Sequence, residues 1–509
     1  MKKNISFIIL ISSILAVLFS GCDKYLDVVP DARTELDSEE KVYELLVSTY
    51  PEIYTMGIFE HRTDNVHDNG SLFSEADELA IRENYYWQPN TEAHGDNTQG
   101  IWDACYSAIA NTNIVLNAID KLGNTRDLDG ARGEALVARA FNHFTLLNVF
   151  SMAYNGQTSG KDLGVPYSTK VESKIGETYS RPTVAENYAL IEKDLLEGIP
   201  LIDDQNYSVP KYHFNTQSAN AFAAKFFLYK EDWDKAIEYA TKALDSDPAT
   251  TLRDIKDINE STTSAEEWGH AYIDSKRACN YMVMGLSSTW FRSYAFSSRY
   301  GHTKEIADHE TLKSPGPWGD ELPVYSGGIY NLSSSAAENL FMLKYYEFFE
   351  YTNVVAGIGY VHVMAVPFTS DETLLYRAEA FVMKKEYDLA AKDLSDWYVS
   401  KGGSPASATE IADFYENASL SGEPVAKPLH PKFAIEEGMQ TYMLQAVLHA
   451  RRIETVHSGQ RWEDIKRYGI EITHNVYRGE PITLNVDDPR RAIQLPGDVL
   501  AAGMTPNPQ

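Results

Sequence analysis

The stretch GQRWEDIKRYG, residues 459–469, sets Arg461, Lys466, Arg467, Glu463, Asp464, Trp462 and Tyr468 within eleven positions. Acids and bases at that density make either a catalytic constellation or an ion-pair knot. Spacing separates the two. On a helix, Arg461 lies three residues before Asp464 and Glu463 four before Arg467, so the charges pair along one face. Trp462, Ile465 and Tyr468 share another face. Hydrolysis of a glycoside needs two carboxyl groups across a cleft, not two along one turn. The stretch therefore reads as structural. No Gly-x-Ser-x-Gly, His-Glu-x-x-His or phosphate-loop motif occurs, and no catalytic residue is assigned. Paired carboxylates of an anchored glycoside hydrolase stay open among so many acids. Asp64–Gly70 (DNVHDNG) has the composition of a calcium loop but lacks the alternating acids and closing Glu of an EF-hand, so no metal site is expected.

Binding without catalysis uses other residues. Aromatic faces take the C–H side of a sugar ring, and planar polar groups take its hydroxyls. Trp87, Trp290 and Trp318 lie in loop-like segments and are candidate platforms, with Tyr86 and Tyr294 beside them. Asp64, Asn65 and Arg292 are candidate hydroxyl partners. Each has a structural alternative: a ring that pins a loop, or a polar group that is solvated or tied into the fold. Trp102, Trp233, Trp397 and Trp462 fall in helical patterns and read as core; Trp268 is assigned to neither group.

The elements that position these residues are mostly helical. Apolar periodicity begins near Ser38, and long helices are expected over Ile101–Leu122 and over the stretch RGEALVARAFNHFTLLNVF. Two later segments match each other. KEDWDKAIEYATKAL from Lys230 aligns with KKEYDLAAKDLSDWY from Lys384, and each follows an Ala-containing helix. Small residues at the crossing and an aromatic wedge (Trp233, Tyr387) resemble a tetratricopeptide repeat. Two irregular stretches, His61–Gln99 and Pro248–Ser370, interrupt the helices, and only YVHVMAV shows strand-like alternation. Long ordered loops of this kind commonly carry function.

The 509 residues carry a formal net charge of -28. That sign repels phosphate backbones and anionic headgroups, so no nucleic-acid partner is expected. Lys2 and Lys3 precede an apolar run, Ile5–Phe19, that is short for a membrane span and ends at Ser20-Gly21-Cys22. Small residues before a Cys resemble a lipobox, with Phe19 where Leu is usual, and assign lipidation to Cys22. The expected division is a leader at 1–21, a tether at 22–37 and one body at 38–509. That body comprises a helical half (about 38–247), a loop-rich ligand region (about 248–370) and a C-terminal helical part (about 371–509). Whether Cys105 and Cys279 pair is left open.

RRIETVHSGQRWEDIKRYG is similar to the C-terminal signature of the SusD/RagB family of outer-membrane lipoproteins. It keeps Arg452, Glu454, Gly459, Arg461, Trp462, Asp464 and Arg467, with Ser458 for the usual Glu and Ile465 for the usual Leu. CDKYLDVVP, GEALVARAFNHFTLLNVF, GVPYSTK and the closing DDPRRAIQLPGDVLAAGMTPNPQ resemble the same family in the same order. The resemblance implies a mainly α fold: tetratricopeptide-like helix pairs packed against a loop-rich region with minor β. It implies a palmitate-bearing lipoprotein of the outer membrane, facing the cell exterior. Such a protein captures glycan oligosaccharides without a cofactor or catalysis and delivers them to a SusC-like TonB-dependent transporter. A RagB-like peptide binder is the alternative within the family.

Overall fold

The computed structural model describes residues 36–70, 79–92, 95–172, 179–295, 299–333 and 338–509; Cys22 and the leader lie outside them. Helix dominates, at 53% against 11% strand. The helices of eight residues or more are α1 (Glu39–Leu46), α2 (Thr98–Lys121), α3 (Asp129–Phe150), α4 (Val184–Gly198), α5 (Thr216–Tyr229), α6 (Trp233–Ala243), α7 (Ala265–Ile273), α8 (Ser370–Met383), α9 (Tyr387–Ser400), α10 (Ala408–Ser421), α11 (Met439–Glu454) and α12 (Gln460–Arg467). Their starts follow from side chains that accept orphan backbone N–H groups. Ser38 caps α1 and Asn97 caps α2, while Thr183–Glu186 and Ser407–Glu410 close capping boxes on α4 and α10.

The helices pack in sequence-adjacent pairs: α2 on α3, α3 on α4, α5 on α6, α8 on α9, α10 on α11. The matched units are α5/α6 and α8/α9. They touch in space, α6 lying on α8, although more than a hundred residues separate them in the chain. Ala221, Ala224, Ala236 and Ala240 in the first unit, and Ala378, Ala380 and Ala390 in the second, are buried at the crossings. Both turns use a non-glycine residue in the left-handed region at the aligned position, Glu231 (φ 66°) and Lys385 (φ 63°). The expected wedge is displaced: Trp233 is only partly buried and meets Phe433 edge-on at 5.6 Å.

Nine strands are described: β1 (His67–Asp68), β2 (Asn280–Leu286), β3 (Tyr300–Gly301), β4 (Ile329–Ser333), β5 (Glu338–Met342), β6 (Glu347–Asn353), β7 (Ile358–Thr369), β8 (Ile472–His474) and β9 (Ile482–Leu484). The largest sheet has the order β2-β7-β6, and β1–β3, β4–β5 and β8–β9 form two-stranded pairs. YVHVMAV lies within β7. Cys105 and Cys279 are buried free thiols.

Helix α12 is buried, and that alters its pairing. Local pairs suffice in solvent, but a buried charge needs every donor and acceptor met. Asp464 is held by Arg451 from α11 at 2.6 Å, with Arg467 at 3.8 Å, rather than by Arg461. Glu463 binds Lys225 (2.7 Å) and the Tyr229 hydroxyl (2.8 Å), while Arg467 reaches Glu379 (2.7 Å). Arg461 turns to Asp64, far away in sequence. Trp462 is fully buried. Gly459 (φ +78°) admits this approach, because a Cβ there would collide with Phe59 at 2.6 Å.

Candidate functional site

Beta pairing brings the two irregular stretches together. β1 runs antiparallel to β3, with His67 opposite Gly301 and Asp68 opposite Tyr300. A third segment, Asn475–Arg478, closes on the same point. Asp68 is the organiser. Its carboxylate accepts a bidentate pair from Arg299 Nε (2.5 Å) and Nη2 (2.8 Å), and backbone N–H bonds from Gly70 (2.8 Å) and Tyr477 (2.9 Å). Its backbone exchanges bonds with the Asn475 side chain, at 3.0 Å and 2.9 Å. Burial alone would push the Asp68 carboxyl up; the Arg299 bond and the two N–H groups outweigh it and hold the pKa below its ordinary value.

Around this carboxylate stand rings and amides. Asn69 Nδ2 donates to Asn339 Oδ1 (2.9 Å) and to the Arg299 carbonyl (3.2 Å). The Arg299 guanidinium lies 5.3 Å from the Tyr300 ring and 5.9 Å from Tyr477, and Arg478 covers Tyr477 at 4.9 Å. Tyr477 is exposed at the rim. Its ring presses on Gly70 (φ +65°), where a Cβ would come within 2.3 Å. Tyr86 is half-buried and meets Tyr300 edge-on at 6.3 Å. The arrangement offers partly exposed rings beside oriented guanidinium and amide groups, held by a buried carboxylate, a set suited to a polyhydroxylated ligand with C–H faces.

The sequence-derived candidates divide sharply here. Trp87, Trp290 and Trp318 are 1%, 1% and 2% exposed, so none is a stacking platform. Each indole N–H donates to a backbone carbonyl: Trp87 to Arg62 (3.0 Å), Trp290 to His457 (3.2 Å) and Trp318 to Ser314 (3.3 Å). All three pin loops. Trp87, itself at φ 51°, is the base of a ring stack that runs through His474 (4.3 Å) and Tyr85 (4.2 Å) to Tyr300 (4.4 Å). Trp290 and Tyr294 contact each other at 4.7 Å inside a buried aromatic layer with His61, Phe341 and His457, so Tyr294 is no platform either. Trp318 packs elsewhere, on Trp397, Tyr398 and His449. Trp268 is buried and donates to Asn259.

The polar candidates behave similarly. Buried Asp64 accepts from Arg461 (2.9 Å twice) and Lys427 (2.7 Å). Burial opposes its charge, but Arg452, Arg461 and Lys427 overcome that and hold its pKa well below the usual carboxylate range. Asn65 is buried between Arg452 (2.8 Å) and Glu60 (3.1 Å). Neither is available to a ligand. Arg292 is at the surface, paired with Glu347 at 2.5 Å. Of the eight candidates, Tyr86 alone borders the junction with an accessible ring. Sequence reasoning missed Asp68, Asn69, Arg299, Tyr300, Asn475 and Tyr477. The available signal was DNG at 68–70, a tight turn inside an irregular stretch. Among the described residues no group of three or more His, Cys, Asp or Glu forms a metal site.

Paired helices over a layer of loops, with polar and aromatic loop residues joined at one surface, define a helical-repeat protein with a loop-built surface. Residues 24–228 match a SusD-like family model described as starch-binding associating with outer membrane. A SusD superfamily protein from Bacteroides vulgatus ATCC 8482 is 19% identical, covering 92% of this chain and 97% of that one, with a TM-score of 0.61. A SusD superfamily protein from Bacteroides thetaiotaomicron VPI-5482 is 17% identical over 92% and 99%, at 0.57. A SusD-like carbohydrate binding protein from Bacteroides vulgatus ATCC 8482 is 17% identical over 88% of each chain, at 0.59. A search of curated proteins finds no match. By sequence, residues 24–228 are similar to the SusD-like family, and nearly the whole chain shares the fold of these solved structures.

Proposed function

We propose that this protein is a non-catalytic, lipid-anchored outer-membrane protein on the cell exterior. It binds glycan oligosaccharides at the β1–β3 junction and hands them to a SusC-like TonB-dependent transporter. The observation that carries the reading is the surface of Tyr86, Tyr477, Arg299 and Asn475, fixed around Asp68 by contacts from three distant chain segments. A rigid set of rings and planar polar groups binds sugars with little ordering cost. The family description supports a starch-like glucan as the first ligand to try. No described helix is long and apolar enough to cross a membrane, and anchoring is assigned to Cys22.

The test is a glycan and peptide array with the mature protein, followed by calorimetry on Tyr477→Ala. Retained glycans and an affinity loss of about fivefold to tenfold are expected from removal of one stacking ring. Retention of peptides alone, or a variant that binds like the parent, would defeat the assignment. Cys22→Ala should move the protein out of the membrane fraction.

A further inference from the structure

The β6–β7 hairpin is unlike the rest of the surface. β6 is an edge strand that hydrogen-bonds to β7 on one side, while other elements touch it at its base. Phe349, Tyr351, Val354, Ile358 and Tyr360 are exposed, and Val355 is 100% exposed at the tip. No Lys or Arg lies between Lys344 and Arg377. Natural edge strands are blunted by lysines, prolines or bulges. β6 has no Lys or Pro, and its register with β7 runs unbroken from Glu347↔Val363 to Tyr351↔Gly359, with irregularity only near the turn. The base is anchored, through Arg292–Glu347 (2.5 Å) and through Phe348 against His270 (4.4 Å) and Tyr346 (5.4 Å). An anchored base and an open edge make a preformed template, since alternate residues of an antiparallel strand aim N–H and C=O away from their partner.

Charge selects the occupant. Glu350 sits mid-strand, exposed, oriented by the Tyr360 hydroxyl at 2.7 Å and without a cationic partner among the described residues. A second copy paired in the fully overlapped antiparallel register would set Glu350 against Glu350, which is unfavourable. An anionic bilayer is repelled by the same carboxylate and by the net charge of -28. We propose that β6 is a strand-docking surface for a partner protein, which adds an extended, apolar strand with a basic residue opposite Glu350. Main-chain bonds give the pairing, and Phe349 and Tyr351, in mutual edge contact at 4.8 Å, bury the partner's apolar side chains.

This inference is independent of the glycan site, and its test is separate. The probes are two acetylated heptapeptides of alternating Thr and Val, one with a central Arg and one with a central Glu, titrated into the full chain. The Arg peptide should slow amide exchange over 347–353 and bind about fivefold more tightly than the Glu peptide. Glu350→Lys, at an exposed position, should reverse that preference while leaving circular dichroism unchanged. The proposal is overturned if neither peptide slows exchange or if the preference survives the charge reversal. It is overturned equally if the segment is protected in a dimer of this chain seen by sedimentation, or on phosphatidylethanolamine–phosphatidylglycerol vesicles.

Discussion

Two arginine–aspartate pairs, Arg461–Asp64 and Arg299–Asp68, use the same bidentate geometry four residues apart on the acidic side. The first is buried, shared with Lys427 and near Arg452, and ties α12 to the first irregular stretch. The second lies at the β1–β3 junction, where the Asp68 side chain is equally buried but Arg299 is 13% exposed and has rings on either side. Identical chemistry thus serves as a staple in one place and as part of a candidate ligand rim in the other. The difference lies in how many cations converge on the carboxylate and how far water reaches the arginine, and neither is written in the local sequence.

The largest test of that contrast is pH. Burial holds His61, His302 and His474 at pKa values of about 4, below the ordinary 6.5. The unfolded chain therefore binds more protons than the folded one between pH 4 and 6.5, and stability rises with pH across that window. Acidification from pH 6.5 to 4 removes on the order of 3 kcal/mol per ring. The melting temperature should fall steeply, with the buried layer losing amide protection before the hairpin base. A flat profile over this range would mean that these rings are solvated.

Substitution separates the two pairs next. Asp64→Ala leaves Arg461 buried without its carboxylate and should cost ~3–5 kcal/mol. Asp68→Ala frees an arginine that can turn to water, so ~1–3 kcal/mol is expected. Equal losses by denaturant titration would erase the distinction between the two pairs. Trp290→Ala should also cost ~3–5 kcal/mol, since it empties a fully buried site and strands the His457 carbonyl. A stable Trp290→Ala protein defective only in glycan binding would restore the platform reading.

Much of the fold was legible in the sequence because helices advertise themselves locally. The Ala-rich crossings of α5/α6 and α8/α9 are signals of short range. The signature around Trp462 gave the buried helix but not its partners, because Asp64 and Glu379 come from elsewhere in the chain. The site was largely illegible for the same reason. A tryptophan in a loop looks like a platform until its indole N–H finds a backbone carbonyl, and loop-to-loop pairing such as β1–β3 has no periodicity to betray it. Tyr477 lies in a C-terminal hairpin loop that no sequence pattern connected to residue 68.

The smallest expected effect belongs to Arg292, in an exposed Arg–carboxylate pair. Its side chain is 52% exposed, and its bond to Glu347 at 2.5 Å is as short as Arg299–Asp68. Length is a poor guide to energy here, because exposed pairs gain little Coulomb energy in water and lose side-chain freedom; such pairs contribute ~0–1 kcal/mol. Arg292→Ala should therefore leave the melting temperature nearly unchanged, and high salt should abolish whatever difference remains. The same variant should leave glycan affinity at the parent value, because Arg292 joins the hairpin base and not the junction. A large loss of stability would show that the hairpin base carries part of the core. A selective loss of glycan binding would move the ligand surface from Tyr477 toward β6, placing Arg292 and Arg299 in one site.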